Sequence, residues 1–295
     1  MFPPFGEVLT AMVTPFLQNG EVNYSKAAEL AAYLAANGSD GLVVAGTTGE
    51  SPTLTGEEKL ELFRVVVSAV RGKAKVVAGT GSNNTRQTVQ FSRQAADCGV
   101  DGIMLVTPYY NKPSQEGLFQ HFSAVAGAVP LPVMLYNVPG RTGVNMLAET
   151  TLRLAQLPNV VAVKEASGDL EQIARLCAGA PAGFAVYSGD DAMTFPLLSL
   201  GGCGVVSVAG HVAGTEIKEM VRACRQGDID RARRLHHRLL PLFGVMFIAS
   251  NPVPVKTAMN ILGHDLGPVR LPLVALSDAH LAEVKRVLQA FGYSN

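Results

Sequence analysis

Charge is scarce in this 295-residue chain: Asp, Glu, Lys and Arg make up 16% of it, against roughly 25% in an average soluble domain. The 24 basic and 24 acidic side chains cancel. That balance leaves no electrostatic footprint for nucleic acid or an anionic membrane surface. Cysteine is sparse too. Cys98, Cys177, Cys203 and Cys224 form no CxxC pair, which argues against a disulfide framework or zinc knuckle and predicts buried free thiols. The start, MFPPFGEVLTAMVTPF, lacks the basic region that opens a secretory signal. The longest apolar run near the C-terminus, 239–249, is too short to span a bilayer. A cytoplasmic protein is expected. Hydrophobic residues reach 48% with no net charge, a composition that excludes disorder. A chain of this size can bury about 75% of its unfolded surface.

What the chain does have is a repeated alternation of short β-rich runs and longer amphipathic stretches. The runs are EVLTAMV from Glu7, GLVVAG from Gly41, KVVAGTG from Lys75 and GIMLVTP from Gly102. They continue with PVMLYNVP from Pro132, VVAVKEAS from Val160, FAVYSGDD from Phe184 and CGVVSVAG from Cys203. Each is nearly continuously apolar, the pattern of strands buried on both faces of a parallel sheet. Helical stretches at 24–37, 57–71 and 85–98 are stopped by Gly38, Gly72 and Gly99. Eight strand–helix units of about 24 to 34 residues match a (β/α)8 TIM barrel. A doubly wound open sheet is the alternative, but TPFLQNG after the first run is not a phosphate-binding turn. The eighth helix is expected near 215–226. Further helices at 228–249, 252–262 and 277–292 follow without a flexible linker. The predicted organisation is therefore a barrel over 1–226 and a C-terminal helical extension over 227–295.

In such a barrel the C-terminal strand ends face the active site. Those ends supply Thr47, Thr48, Gly79 to Gly81, Tyr109, Tyr110, Tyr136, Asn137, Lys164, Ser188 to Asp191, and Ser207. Of nine lysines, only Lys164 sits inside an apolar strand near its C-terminal end. Lys75 opens the third run and belongs to the opposite face. An amine in such surroundings can form a Schiff base with a carbonyl substrate. A structural ion pair is the competing reading, although adjacent Glu165 should point to the other face of the strand. Tyr136 could shuttle protons or be a satisfied core tyrosine. Thr47 and Thr48 could hold a carboxylate, or simply build a strand-to-helix turn. Arg141 offers a fork for a carboxylate, or is an idle loop arginine.

Other chemistries have less behind them. Asp190 and Asp191 lack accompanying ligands for a metal and read better as helix N-caps. The six histidines make no HxH or HExxH spacing, and GxSxG is missing. GTGSNNT has neither a Walker lysine nor a third glycine.

GTTGESPTL from Gly46, GTGSNNT from Gly79, TPYYNKPSQEGL from Thr107, YNVPGRTG from Tyr136, VKEASGD from Val163 and SGDD from Ser188 resemble the dihydrodipicolinate synthase family. That family sits beside the N-acetylneuraminate lyases among pyruvate-dependent class I aldolases. The resemblance runs from about Leu9 through NPVPVKTA near Asn251, and it implies the following roles. Lys164 condenses with pyruvate, and the enamine attacks L-aspartate 4-semialdehyde. Tyr136 shuttles protons through Thr48 and Tyr110, the latter contributed to a neighbouring subunit. Thr47 and Thr48 hold the pyruvate carboxylate, and Arg141 that of the semialdehyde. Gly189 and Val206 supply backbone contacts. No cofactor and no metal is expected, and the assembly is expected to be a homotetramer, a dimer of dimers. Arg141 and Tyr110 together favour the semialdehyde over a sugar acid such as N-acetylneuraminate or a 2-keto-3-deoxy acid. A barrel that merely binds a small carboxylate is a third possibility. Members inhibited by lysine carry two histidines and a glutamate where this chain has Gly56, Lys59 and Gln87, although Ser51, Asn83 and Tyr109 are kept. Weak or absent inhibition by lysine follows.

Overall fold

The eight apolar runs become eight strands of one barrel. The computed structural model describes residues 3–293, so the first two residues of the start segment and the last two of the extension lie outside it. The strands are β1 (Val8–Ala11), β2 (Gly41–Val44), β3 (Lys75–Gly79), β4 (Gly102–Val106), β5 (Val133–Asn137), β6 (Val160–Glu165), β7 (Ala185–Ser188) and β8 (Gly204–Ser207). Each pairs in parallel with the next, and β8 closes on β1. This is the (β/α)8 barrel that the pattern predicts.

Twelve helices surround and extend it among the described residues. They are α1 (Tyr24–Ala36), α2 (Gly56–Val70), α3 (Thr85–Ala96), α4 (Gln115–Ala126), α5 (Pro139–Thr142) and α6 (Ala148–Leu154). After these come α7 (Leu170–Gly179), α8 (Thr194–Ser199), α9 (Gly210–Arg225), α10 (Ile229–Val245), α11 (Val253–Ile261) and α12 (Asp278–Ala290).

Why the runs read as continuously apolar is visible in the packing. Alternate residues of each strand enter two different cores. Leu9, Val43, Val77, Met104, Met134, Tyr136, Ala162, Tyr187 and Val206 fill the barrel interior. Their neighbours Val8, Leu42, Val44, Val76, Ile103, Leu135, Val163 and Val205 pack outward against helices. A helix such as α2 turns Leu62, Phe63, Val66 and Val70 to that outer core. Its first turn is closed by a capping box in which Thr55 and Glu58 exchange hydrogen bonds.

The eighth barrel helix lies where expected, running to Arg225, and a short turn over 210–213 precedes it across a kink at Ala213. One expectation about helix caps needs correction. Asp191 does not cap the helix that follows it: α8 starts behind Met193 with no side-chain cap. Its carboxylate instead accepts from the Val208 and Ala209 amides, 3.0 and 2.9 Å away, at the head of α9. The thiols also differ from expectation, since only Cys98 is buried and the other three are half-buried.

The helices after Arg225 pack on the barrel. α10 lies against α8, α9 and α12, and α11 against α9 and α12. Leu239, Leu242, Phe243, Val255, Met259 and Val284 join the same outer core as the barrel helices. One polar junction is also buried. Lys256 Nζ of α11 sits 2.9 Å from Glu50 Oε1, with both side chains at most 2% exposed. Removing one partner of such a pair typically costs about 3–5 kcal/mol. Among the described residues no helix is long and apolar enough to cross a membrane.

Candidate active site

Strand register brings the key side chains into the barrel mouth. Lys164 on β6 is paired with Tyr136 on β5 and Tyr187 on β7, so all three share the inner face. Lys164 is 5% exposed, and its Nζ stands 4.2 Å from the centre of the Tyr136 ring. It takes part in no ion pair among the described residues. Glu165 faces the other way, as alternation requires. Its carboxylate accepts from Asn137 Nδ2 at 3.1 Å, Gln172 Nε2 at 3.0 Å and the Ser167 amide at 2.7 Å. The reading of Lys164 as half of a structural ion pair is thereby excluded.

Gly189 explains how the lysine fits. A Cβ there would lie 3.1 Å from Lys164 Cε and 2.7 Å from the Ala166 Cβ. The missing side chain is the space that the lysine stem occupies. Val206, fully buried on β8, also faces the barrel interior.

A cavity of about 600 Å³ opens beside this floor. Thr47, Tyr136, Val138 and Arg141 line it, as do Ser51, Gly56, Lys59, Gln87 and Phe91. Tyr136 therefore touches both the cavity and the lysine. Arg141 is exposed and carried by the single turn α5, which Gly143 ends in the left-handed conformation at φ 74°. Thr48 does not line the cavity: it is 2% exposed, and its hydroxyl accepts from Asn251 Nδ2 at 3.0 Å. Lys59 is half-buried, with Nζ 5.7 Å from the Phe91 ring centre. Burial pushes its pKa down, an effect only partly countered by neighbouring Glu58.

Tyr110 behaves differently from the other expected site residues. It is 89% exposed and held at φ 74°, and it does not line the cavity of its own chain. Its neighbour Tyr109 does, with its carbonyl accepting from Asn83 Nδ2 at 3.2 Å. The sequence reading overlooked Asn251 and Lys256. NPVPVKTA holds a lysine between apolar residues, and that signal could have marked the segment.

The fold and these contacts define a (β/α)8-barrel enzyme with a buried lysine, Lys164, that takes part in no ion pair among the described residues. The chain belongs to the dihydrodipicolinate synthetase family, whose model matches residues 4–291. It is 55% identical over 289 residues to the 4-hydroxy-tetrahydrodipicolinate synthase of Thermosynechococcus vestitus, covering 98% of both chains. Among solved structures, a dihydrodipicolinate synthase from Cyanidioschyzon merolae with lysine bound superposes at a TM-score of 0.97. It is 52% identical, with 99% of both chains covered. A monomeric dihydrodipicolinate synthase variant, 42% identical over 98% of both chains, gives a TM-score of 0.96.

Proposed function

We propose that the protein is a lyase that condenses pyruvate with L-aspartate 4-semialdehyde to give 4-hydroxy-tetrahydrodipicolinate, the reaction of lysine and diaminopimelate biosynthesis. The observation that carries this reading is Lys164: buried, unpaired and set against Tyr136 beside a cavity that also holds Arg141. The synthase name of the relatives supports it. The sugar-acid alternative has no such support among them.

The Lys164 amine adds to the pyruvate carbonyl and loses water, forming an imine. Loss of a methyl proton gives the enamine, whose carbon attacks the aldehyde of the semialdehyde. The amine of the semialdehyde then closes on the imine carbon and frees Lys164. Tyr136 moves the protons, since its hydroxyl can both donate and accept. Tyr110 extends that relay, while Thr48, whose hydroxyl accepts from Asn251 Nδ2, is left to donate. Thr47 and Thr48 hold the pyruvate carboxylate, with backbone contacts from Gly189 and Val206. Arg141 anchors the carboxylate of the semialdehyde through its guanidinium fork. These steps need neither a metal nor an organic cofactor.

Residues 1–226 carry the chemistry and 227–295 form the extension packed on the barrel. Tyr110 stands out from its own chain, which suits a hydroxyl offered to a neighbouring subunit in a homotetramer. A cytoplasmic enzyme acting on these small metabolites fits the balanced charge.

Borohydride reduction in the presence of pyruvate tests the chemistry. Mass spectrometry should place a pyruvate-derived adduct on Lys164, and its absence would falsify the Schiff-base reading. Comparing turnover of the semialdehyde with cleavage of sialic acid and keto-deoxy acids tests the substrate.

A further inference from the structure

The turn after β2 carries both threonines of the site, and it is not held by the barrel alone. Ala45 and Glu50 at its two ends sit at φ 53° and 54°, a left-handed conformation that costs a residue with a side chain. Its internal bonds are few: the Glu50 amide donates to the Thr47 carbonyl at 3.0 Å and the Ser51 amide to Gly46 at 3.2 Å. From the barrel side Thr14 Oγ1 donates to the Gly49 carbonyl at 2.7 Å, and the C-terminal extension supplies further bonds. Lys256 Nζ and the Arg270 amide each donate to one oxygen of the Glu50 carboxylate, at 2.9 and 2.8 Å. Asn251 Nδ2 donates to the Thr48 hydroxyl at 3.0 Å. Residues 251 to 256 thus grip the turn at Thr48 and again at Glu50.

The bond to Thr48 has a direction. An amide nitrogen can only donate, so Thr48 Oγ must accept, and its own proton is left to point elsewhere. Among the described residues no acceptor takes that proton. Asn251 is 7% exposed, and its Oδ1 is buried without a partner. Reversing the amide would leave both amide hydrogens unpaired, where the present orientation leaves one hydrogen and one acceptor, and orphaned buried donors are the rarer case. A free threonine hydroxyl would choose among rotamers and could donate or accept in any of them. This one is committed.

We propose that Asn251, from the extension outside the barrel, is a positioning residue that fixes the Thr48 hydroxyl as a hydrogen-bond donor for the carboxylate of pyruvate. The inference rests on the proposed function, in which Thr48 binds that carboxylate. It assigns the extension a part in substrate binding beyond covering the barrel.

The test compares wild type, Asn251→Leu, Asn251→Asp and each change combined with Thr48→Val. The readout is the pyruvate concentration that half-saturates borohydride trapping on Lys164, a step that needs no semialdehyde. Losing a hydrogen bond to a charged group corresponds to roughly tenfold or more. Both single variants should raise half-saturation by about that factor, with kcat at saturating pyruvate much less affected. In the Thr48→Val background neither change should add further loss. Asn251→Asp keeps the shape of the side chain, so it serves if Asn251→Leu does not fold. No adduct in the wild-type protein sinks the functional reading and this inference with it. A wild-type adduct with unchanged half-saturation in the folded variants sinks this inference alone, as does an effect that persists without the Thr48 hydroxyl.

Discussion

The cost and direction of a single side chain decide most of the chemistry here. Two lysines, Lys164 and Lys256, are buried, and their partners separate their roles. Lys256 is neutralised by Glu50 and lies 4.1 Å from the Phe16 ring centre. Burial still pushes its pKa down to about 8. Lys164 has only the face of Tyr136. The pattern in VVAVKEAS made Lys164 legible in the sequence, because an ammonium inside an apolar strand demands a reason. Lys256 was less legible, since a lysine in a helix is ordinarily exposed and its carboxylate partner lies 206 residues away. Gly189 offers a sharp test of the floor. Gly189→Ala should press on Lys164 and Ala166 at a cost of about 1–3 kcal/mol, slowing pyruvate trapping several-fold while the barrel still folds. Normal trapping in that variant would mean the lysine stem has room to spare. Arg141→Ala should instead leave trapping intact and lower kcat/KM for the semialdehyde. The loss of a charge-assisted bond of about 1.5–3 kcal/mol corresponds to roughly 10- to 100-fold. Equal damage to both steps would remove Arg141 from its assigned carboxylate.

Among the elements, the strands were more legible than the helix starts. A strand buried on both faces announces itself by composition, and all eight runs contain the strand they predicted. The short turn over 210–213 ahead of the main body of α9 left no mark in the sequence, because it lacks helical periodicity and is set off by the kink at Ala213. That turn matters, because it carries His211 into the core. His211 Nε2 accepts from the Val13 amide at 3.1 Å, which leaves the ring proton on Nδ1 to donate to the Val208 carbonyl at 2.9 Å. Burial pushes its pKa down to about 4. The unfolded chain, near the ordinary value of about 6.5, binds the proton more readily than the folded one. Stability should therefore fall as pH drops from about 6.5 towards 4, by up to roughly 3 kcal/mol from this group. Denaturant titrations should show a flatter pH dependence for His211→Gln across that window, on a lower baseline. An unchanged slope would assign the acid sensitivity to other groups.

For the whole molecule, the exposed tyrosine and the cation in the cavity wall carry the predictions. Tyr110 extends 89% into solvent on a loop otherwise tied down by Asn83 and Asn111. If a neighbouring subunit receives it, Tyr110→Phe should lower kcat without changing the assembly measured by sedimentation. Mixing it with an inactive Lys164→Ala chain should restore part of the activity through shared sites, and failure to complement would confine Tyr110 to its own chain. The Cyanidioschyzon merolae relative binds lysine in its crystal. Here Lys59 puts a cation in the wall of the cavity that Gly56 and Gln87 also line, so millimolar lysine should leave turnover nearly unchanged. Strong inhibition would overturn that expectation. The sequence by itself determined the barrel, the choice of Lys164 and the motif residues around it. Those features are local: apolar runs, glycine stops and a charge in the wrong surroundings are each visible within one segment. Only the tertiary structure decided that Glu165 is satisfied by Asn137 and Gln172, that Gly189 makes room for Lys164 and that the Asp191 carboxylate takes the Val208 and Ala209 amides beyond the next strand. It also decided that Asn251 and Lys256 hold the turn bearing Thr48. These depend on which segments meet after the barrel closes, and contacts between residues some 200 positions apart leave no periodic trace in either one.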